Sequence, residues 1–206
     1  TPIHNLMTHC QVVLNRTRPV EEYRRVLEAN VEELERISSM VEDMLFLARA
    51  DQAQAVLTKE TFDLREAADK VTSFFESLME ERGLRAACEG NATVQADRSL
   101  VERVIGNLLS NAIRHSAPQS TIRVVLGHAD SRARIEVTNS GPGIPAQFQE
   151  RVFDRFFQVS PSRSQGDAGS GLGLAIVKSI MALHNGSVTV ASHPEGPTTF
   201  TASFPA

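Results

Sequence analysis

The chain has 206 residues, 41% of them hydrophobic, which is enough to build one large domain or two small ones around a sizeable core. Its 25 acidic and 21 basic side chains leave a net charge of -4 with no dense Lys/Arg run, which excludes nucleic acid as the main partner. Cys10 and Cys88 are far apart, with no Cys-x-x-Cys and no Cys/His ligand spacing, so neither a disulfide framework nor a zinc site is expected. No apolar run approaches the ~18 residues of a membrane span. The chain reads as a soluble piece without direct membrane contact, and Thr1-Pro2, with no initiating methionine, reads as the tail of something longer.

In chain order, Ile3, Leu6, Cys10 and Val13 recur at spacings of three and four, the mark of a short amphipathic helix. After a break at Arg16 to Pro19, Tyr23, Leu27, Asn30, Leu34, Ile37, Val41, Met44 and Ala48 form a second stripe, overlapped by Val31, Ser38 and Leu45. So wide an apolar face suits a helix with two neighbours. A lone hairpin cannot bury both stripes, so a homodimeric four-helix bundle is expected, with packing on the rest of the same chain as the alternative. Asn30 either fixes register within the stripe or faces solvent.

Helical signal stops near Asp51. The expected division is a helical hairpin over 1–51, a linker over 52–58 and a second domain over 59–206. In that domain Leu64 to Arg82 has helical period with Gly83 as its stop, and Leu100 to His115 is a second helix with Asp97 as N-cap. Leu84 to Cys88 and Thr93 to Ala96 read as strands, and Thr121 to Leu126 and Arg134 to Thr138 as a strand pair. Gly171 to Leu183 is a third helix, and Ser187 to Ala191 and Phe200 to Phe204 are closing strands. The composition of Ser160 to Gly171 predicts a mobile loop. Helices over one face of a mixed sheet make an α+β sandwich.

Three elements carry chemistry. Asn107 and Asn111 are four apart on one helical face, followed by Arg114 and His115. Magnesium prefers oxygen ligands and shares them with substrate phosphates, so Asn111 can offer an amide oxygen while Asn107, Arg114 and His115 face the same phosphates. Asn139-Ser140-Gly141-Pro142-Gly143-Ile144 follows a predicted strand and lets a flat base lie against tight backbone, with Asn139 accepting from an exocyclic amine. Gly169-Ser170-Gly171-Leu172-Gly173-Leu174 opens a helix, where unpaired amides and the helix dipole favour phosphate. Each alone has a plain reading: exposed or capping asparagines, a turn, a glycine cluster. Together and in this order they suggest a magnesium-nucleotide pocket.

The ordered set Asn107-Leu-Leu-Ser-Asn111-Ala-x-Arg114-His115, Asn139-x-Gly-x-Gly-Ile144, Phe153-Asp-Arg-Phe156-Phe157 and Gly169-x-Gly-Leu-Gly-Leu174 resembles the N, G1, F and G2 boxes of bacterial sensor histidine kinases. The resemblance implies a Bergerat-type ATP-binding domain, shared with gyrase and the Hsp90 chaperones, behind a dimerisation and phosphoacceptor hairpin. It implies that Asn111 coordinates magnesium, that Asn107 and Arg114 contact phosphates, and that His115 fills a position usually held by Tyr or His. Gly141, Gly143 and Ile144 would border the adenine, and Gly169, Gly171, Leu172 and Gly173 the phosphates. Ser160 to Ala168 would be the ATP lid, anchored by Phe156. Arg155 and Arg163 would reach the γ-phosphate, with a solvated lid arginine as the other reading of Arg163. Glu32-Glu-Leu-Glu-Arg36 and Met40 to Asp51 resemble the copper- and heavy-metal-responsive subgroup, whose parent proteins lie in the bacterial inner membrane with this core in the cytoplasm. Metal would then be sensed outside these residues, so His4, His9 and Cys10 need not be ligands.

Three departures follow. The G1 box usually begins with Asp, and Asn139 accepts without charge, so weaker ATP binding is expected. Pro197 stands where the last box commonly has Gly, which bears on Thr198 as an adenine contact. The phosphoacceptor motif His-Glu-x-Arg-Thr-Pro overlaps this chain only at Thr1 and Pro2, placing its histidine four residues before Thr1. The chain is therefore expected to bind Mg-ATP without autophosphorylating, and Thr1, a candidate for phosphatase action on a cognate response regulator, lies at its very start. Two other readings are a hydrolase of the gyrase or Hsp90 kind, which carries Glu where Asn107 stands, and a non-catalytic nucleotide-binding dimerisation module.

Overall fold

A computed structural model describes residues 2–52, 56–159 and 170–205. The chain forms two compact units, Thr1–Leu45 and Phe46–Ala206. No described helix is long and apolar enough to cross a membrane.

The first unit is a helical hairpin of α1 (Pro2–Leu14) and the greater part of α2 (Val20–Asp51). Pro19 starts α2 because it lacks an N–H that the first turn would leave unpaired, while its carbonyl accepts from Glu22 N at 3.0 Å. The apolar positions of α2 fall on two faces. Tyr23, Val26, Asn30, Glu33, Ile37 and Met40 are partly or fully covered, whereas Val20, Leu27, Val31, Leu34, Val41 and Leu45 are exposed. The single stripe read through Tyr23, Leu27, Asn30 and Leu34 thus alternates between the two faces, because both are apolar and their heptads interleave. Asn30 is buried, not solvent-facing, and its Nδ2 donates to Cys10 Sγ at 3.1 Å across the hairpin.

The second unit opens with the last turns of α2. There Leu47 is buried, the Arg103 guanidinium lies 4.5 Å above the Phe46 ring, and Arg155 Nη2 donates to both Asp51 oxygens at 2.8 and 2.6 Å. Strand β1 (Glu60–Asp63) follows, and Asp63 caps α3 (Leu64–Phe74) by accepting from Arg65 N at 2.7 Å. The helix expected over Leu64 to Arg82 is broken at Phe75, with α4 (Glu76–Glu81) beyond it. Thr72-Ser73-Phe74-Phe75 is a run of weak helix formers, and Phe75 N bonds back to Thr72 O in a tight turn.

Strands β2 (Arg85–Gly90), β3 (Thr93–Ala96), β4 (Thr121–Ala129), β5 (Arg132–Ser140), β6 (Ser187–Ser192) and β7 (Pro197–Phe204) complete the sheets. β1 and β3 pair antiparallel as a separate ribbon, and the main sheet runs β2-β4-β5-β7-β6, with β2 parallel to β4 and the other pairs antiparallel. β4 and β5 form the expected pair, joined by Asp130 and Ser131, both at positive φ as a two-residue hairpin turn requires. Alternate residues Ile122, Val124, Leu126, Ile135, Val137, Phe200, Ala202 and Phe204 are buried beneath α3, α5 (Arg98–His115) and α7 (Gly173–Leu183). This is the α+β sandwich expected. Alternation stays strict along β5 through Asn139, so a polar side chain takes the last inward position of that strand.

Candidate nucleotide site

Helix α5 carries the site on one face because its other face is sealed. Val101, Val104, Ile105, Leu108, Leu109, Ala112 and Ile113 are buried, which leaves Arg103, Asn107 and Asn111 in a row at four-residue spacing. Asp97 fixes the start of the helix: Oδ1 accepts from Leu100 N and Ser99 Oγ, and Oδ2 from Thr58 N. Burial opposes ionisation of Asp97, but these donors outweigh it and hold the carboxyl below its ordinary range. Its backbone N–H donates to Nε2 of the buried His184 at 3.0 Å, and His184 Nδ1 donates to Ile180 O, so the end of α7 is bolted to the start of α5. Sequence reasoning missed His184, since no spacing links it to Asp97.

Asn107 Nδ2 donates to Arg103 O at 3.0 Å, and Oδ1 is turned toward Gly173, where a β-carbon would sit 2.9 Å away. The Asn111 amide makes no hydrogen bond among the described residues. Arg114 and His115 are exposed in the last turn. Although the residue as a whole is exposed, desolvation by the surrounding protein pushes the His115 pKa down, and Arg114 adds to the shift, so the imidazole stays neutral near pH 7.

The loop after β5 lies on the end of α5. Ala117 N donates to Ser140 O at 2.7 Å, and a β-carbon on Gly141 would collide with the His115 carbonyl oxygen. Gly143, at φ 71, would likewise collide with the carbonyl of His193. Ile144 N donates to Ser192 Oγ at 2.8 Å, and Gln149 Nε2 donates to the carbonyls of Ile144 and Ser192. Ser192 Oγ shares a 2.7 Å hydrogen bond with Thr198 Oγ1, and Thr198 is the register partner of Asn139. Asn139, Thr198 and Ser192 therefore form a buried polar row across β5, β7 and β6 at the end of the apolar core. Ser192 and Gln149 escaped the sequence reading because their contacts are non-local.

Phe153 packs into the core edge-on to Phe200, and Phe157 packs against Phe148 beneath Arg151. Phe156 is 55% exposed at φ 61, and its N–H donates to Gly171 O at 2.9 Å. A β-carbon on Gly171 would lie 2.8 Å from Phe156 Cα, so backbone, not ring burial, joins these two segments. Leu172 is buried, and no side chain caps the start of α7. The expected sites at Thr1 and Gly169, and the expected lid from Ser160 to Ala168 with Arg163, lie outside the described residues.

Residues 96–206 match the family "Histidine kinase-, DNA gyrase B-, and HSP90-like ATPase", and residues 1–53 match the "His Kinase A (phospho-acceptor) domain". The chain is 44% identical over 206 residues to the sensor protein IrlS of Burkholderia pseudomallei, covering 100% of this chain and 44% of that protein. It is 42% identical over 207 residues to the sensor histidine kinase CusS of Escherichia coli, covering 100% of this chain and 43% of that protein. This chain belongs to the sensor histidine kinases.

A solved structure of histidine kinase ThkA in complex with the response regulator protein TrrA shares the fold, with TM-score 0.80 at 24% identity over 100% of this chain and 57% of that one. The sensor histidine kinase chain thus spans less than half the length of the two curated relatives. Its second unit contains the ATP-binding domain of the family. Magnesium fits the donor set. Asn111 presents an amide oxygen with no hydrogen-bond partner among the described residues, a neutral oxygen donor of the kind that magnesium accepts beside phosphates and water.

Proposed function

We propose that this chain is the core of a kinase that passes the γ-phosphate of Mg-ATP to a histidine, from which it moves to an aspartate of a response regulator. The observation that carries the reading is the facing of Asn107 and the uncapped start of α7 across the Gly173 contact, with Asn111 one turn further along α5. Amides and an open helix N-terminus hold phosphate, while an amide at position 107 cannot take a proton from water, which favours transfer over hydrolysis. Bound magnesium would neutralise charge on the β- and γ-phosphates. Asn107, Arg114 and neutral His115 hold and orient the triphosphate; Asn139 and the backbone from Gly141 to Ile144 border the base. Attack by an imidazole nitrogen forms the N–P bond as the bond to the ADP oxygen breaks.

The acceptor in this reading belongs to the motif that ends in Thr1-Pro2. Thr1 itself is the group that would position water in the reverse, phosphatase reaction. The exposed face of α2 supports a homodimer: Val20, Leu27 and Val31 line an open apolar groove that a second hairpin can fill. The ThkA–TrrA complex supports a response regulator as partner. The whole protein is proposed to sit in the bacterial inner membrane and to answer to copper or silver, on the subgroup resemblance of Glu32 to Arg36 and Met40 to Asp51.

The test is calorimetric titration of Mg-ATP into residues 1–206, with phosphohistidine detection and a steady-state ATPase assay alongside. Saturable magnesium-dependent binding, little turnover and no phosphate on His4 or His9 are expected. Fast hydrolysis would favour the hydrolase reading, and failure to bind ATP would overturn the nucleotide site in every reading.

A further inference from the structure

Asn139 ends the inward row of β5 at 3% exposure, yet its side chain makes no hydrogen bond among the described residues. The amide is thus left for water or a ligand to meet. The neighbouring hydroxyls do not decide which end of the amide leads. Thr198, directly across on β7, is engaged with Ser192, and Ser192 is held in turn by Ile144 N–H. On the other side stands Gly141, whose missing β-carbon would lie 3.3 Å from Asn139 Nδ2, so no side chain crowds the amide there either.

A carboxylate at this place only accepts. It matches the 6-amino group of adenine and repels the 6-oxo group of hypoxanthine or guanine. An amide carries both an acceptor and two donor hydrogens, and a half-turn about Cβ–Cγ exchanges them. Adenine presents a donor at its 6-amino group and an acceptor at N1; hypoxanthine presents the reverse, an acceptor at O6 and a donor at N1. One Asn139 side chain, free to turn, is complementary to both edges.

We propose that the purine site of this chain is degenerate at the 6-position, taking 6-oxopurine nucleoside triphosphates as well as ATP through reorientation of the unpartnered Asn139 amide. This rests on the reading of Asn139 as the base contact. Discrimination between purines by a polar group comes from leaving the wrong partner unpaired, and a group that can pair either way gives that up.

Mg-ATP and Mg-ITP, which differ only at the 6-position and N1, are titrated into residues 1–206 and into Asn139→Asp, with thermal unfolding as a check on the variant. Dissociation constants for the two nucleotides within about fivefold of each other are expected for the unaltered chain, against a preference for ATP of about a hundredfold or more in Asn139→Asp. A preference for ATP of about a hundredfold in the unaltered chain overturns the degeneracy while leaving ATP binding intact, and so does a variant whose ATP to ITP ratio is unchanged. That ratio in the unaltered chain decides the matter even where the variant does not fold. Binding of neither nucleotide overturns the kinase reading and this inference together.

Discussion

A β-carbon on Gly141 would collide with the carbonyl oxygen of His115, so the loop after β5 can lie on the end of α5 only with hydrogen in that place. The atom it would meet is backbone at a helix end whose Ser116 Oγ already donates to Ala112 O, and such an atom cannot swing aside as a long side chain does. Gly141→Ala is therefore expected to destabilise the ATP-binding unit by about 1–3 kcal/mol and to weaken nucleotide binding in the fraction that remains folded. Urea unfolding and calorimetry on the same protein check both; an unchanged midpoint would show that the loop is not seated as described.

Asn111→Ala separates binding from folding. The amide bonds nothing in the described structure, so unfolding should move by less than about 0.5 kcal/mol. Affinity for Mg-ATP should fall by about tenfold or more, with a much smaller change for ATP in EDTA. Equal losses with and without magnesium would remove the metal role from Asn111.

Asp97 gives a pH dependence with a definite sign. Its folded pKa lies below the ordinary aspartate value, so its contribution to stability is fully present above that ordinary value and is lost as pH falls through the lower, folded one. Asp97→Ala should cost about 1 kcal/mol at pH 7 through the lost cap on α5, and the gap to the unaltered chain should close in acid, once pH has fallen through the folded pKa. Denaturant melts at neutral and acid pH provide the measurement. A gap that persists in acid would point to packing, not charge.

The exposed face of α2 predicts an assembly defect. Leu27→Glu combined with Leu34→Glu places charge on a stripe where those residues are 62% and 55% exposed in the single hairpin. Sedimentation should show dimer for the unaltered chain and monomer for the double variant, with Mg-ATP affinity within about twofold of the original. A monomeric unaltered chain would rule out this face as the interface.

Much of the fold was legible because its elements are locally consistent. The Asp97 cap, the buried face of α5 and the alternation of β4 and β5 each follow from periodicity over a few residues. The parts that were not legible depend on distant partners. β1 is a four-residue strand, Glu60–Asp63, defined by its pairing with β3 across α3, α4 and β2. The break at Phe75 interrupts a pattern whose apolar period runs on unbroken. In the site, the asparagines and glycines were visible as motifs, but not what the glycines touch: Gly141 meets His115, Gly171 meets Phe156 and Gly173 meets Asn107. The row from Asn139 through Thr198 to Ser192 is assembled only when three strands come into register.

Helix α5 belongs to two structures at once, since its buried face closes the core while its open face presents Asn107 and Asn111. Whatever occupies the open face is thereby linked to the whole cooperative unit. A nucleotide held there at a hundred times its dissociation constant shifts the folding equilibrium by about 2.7 kcal/mol. Amide exchange deep in the sheet, far from any phosphate, would then report whether the site is loaded.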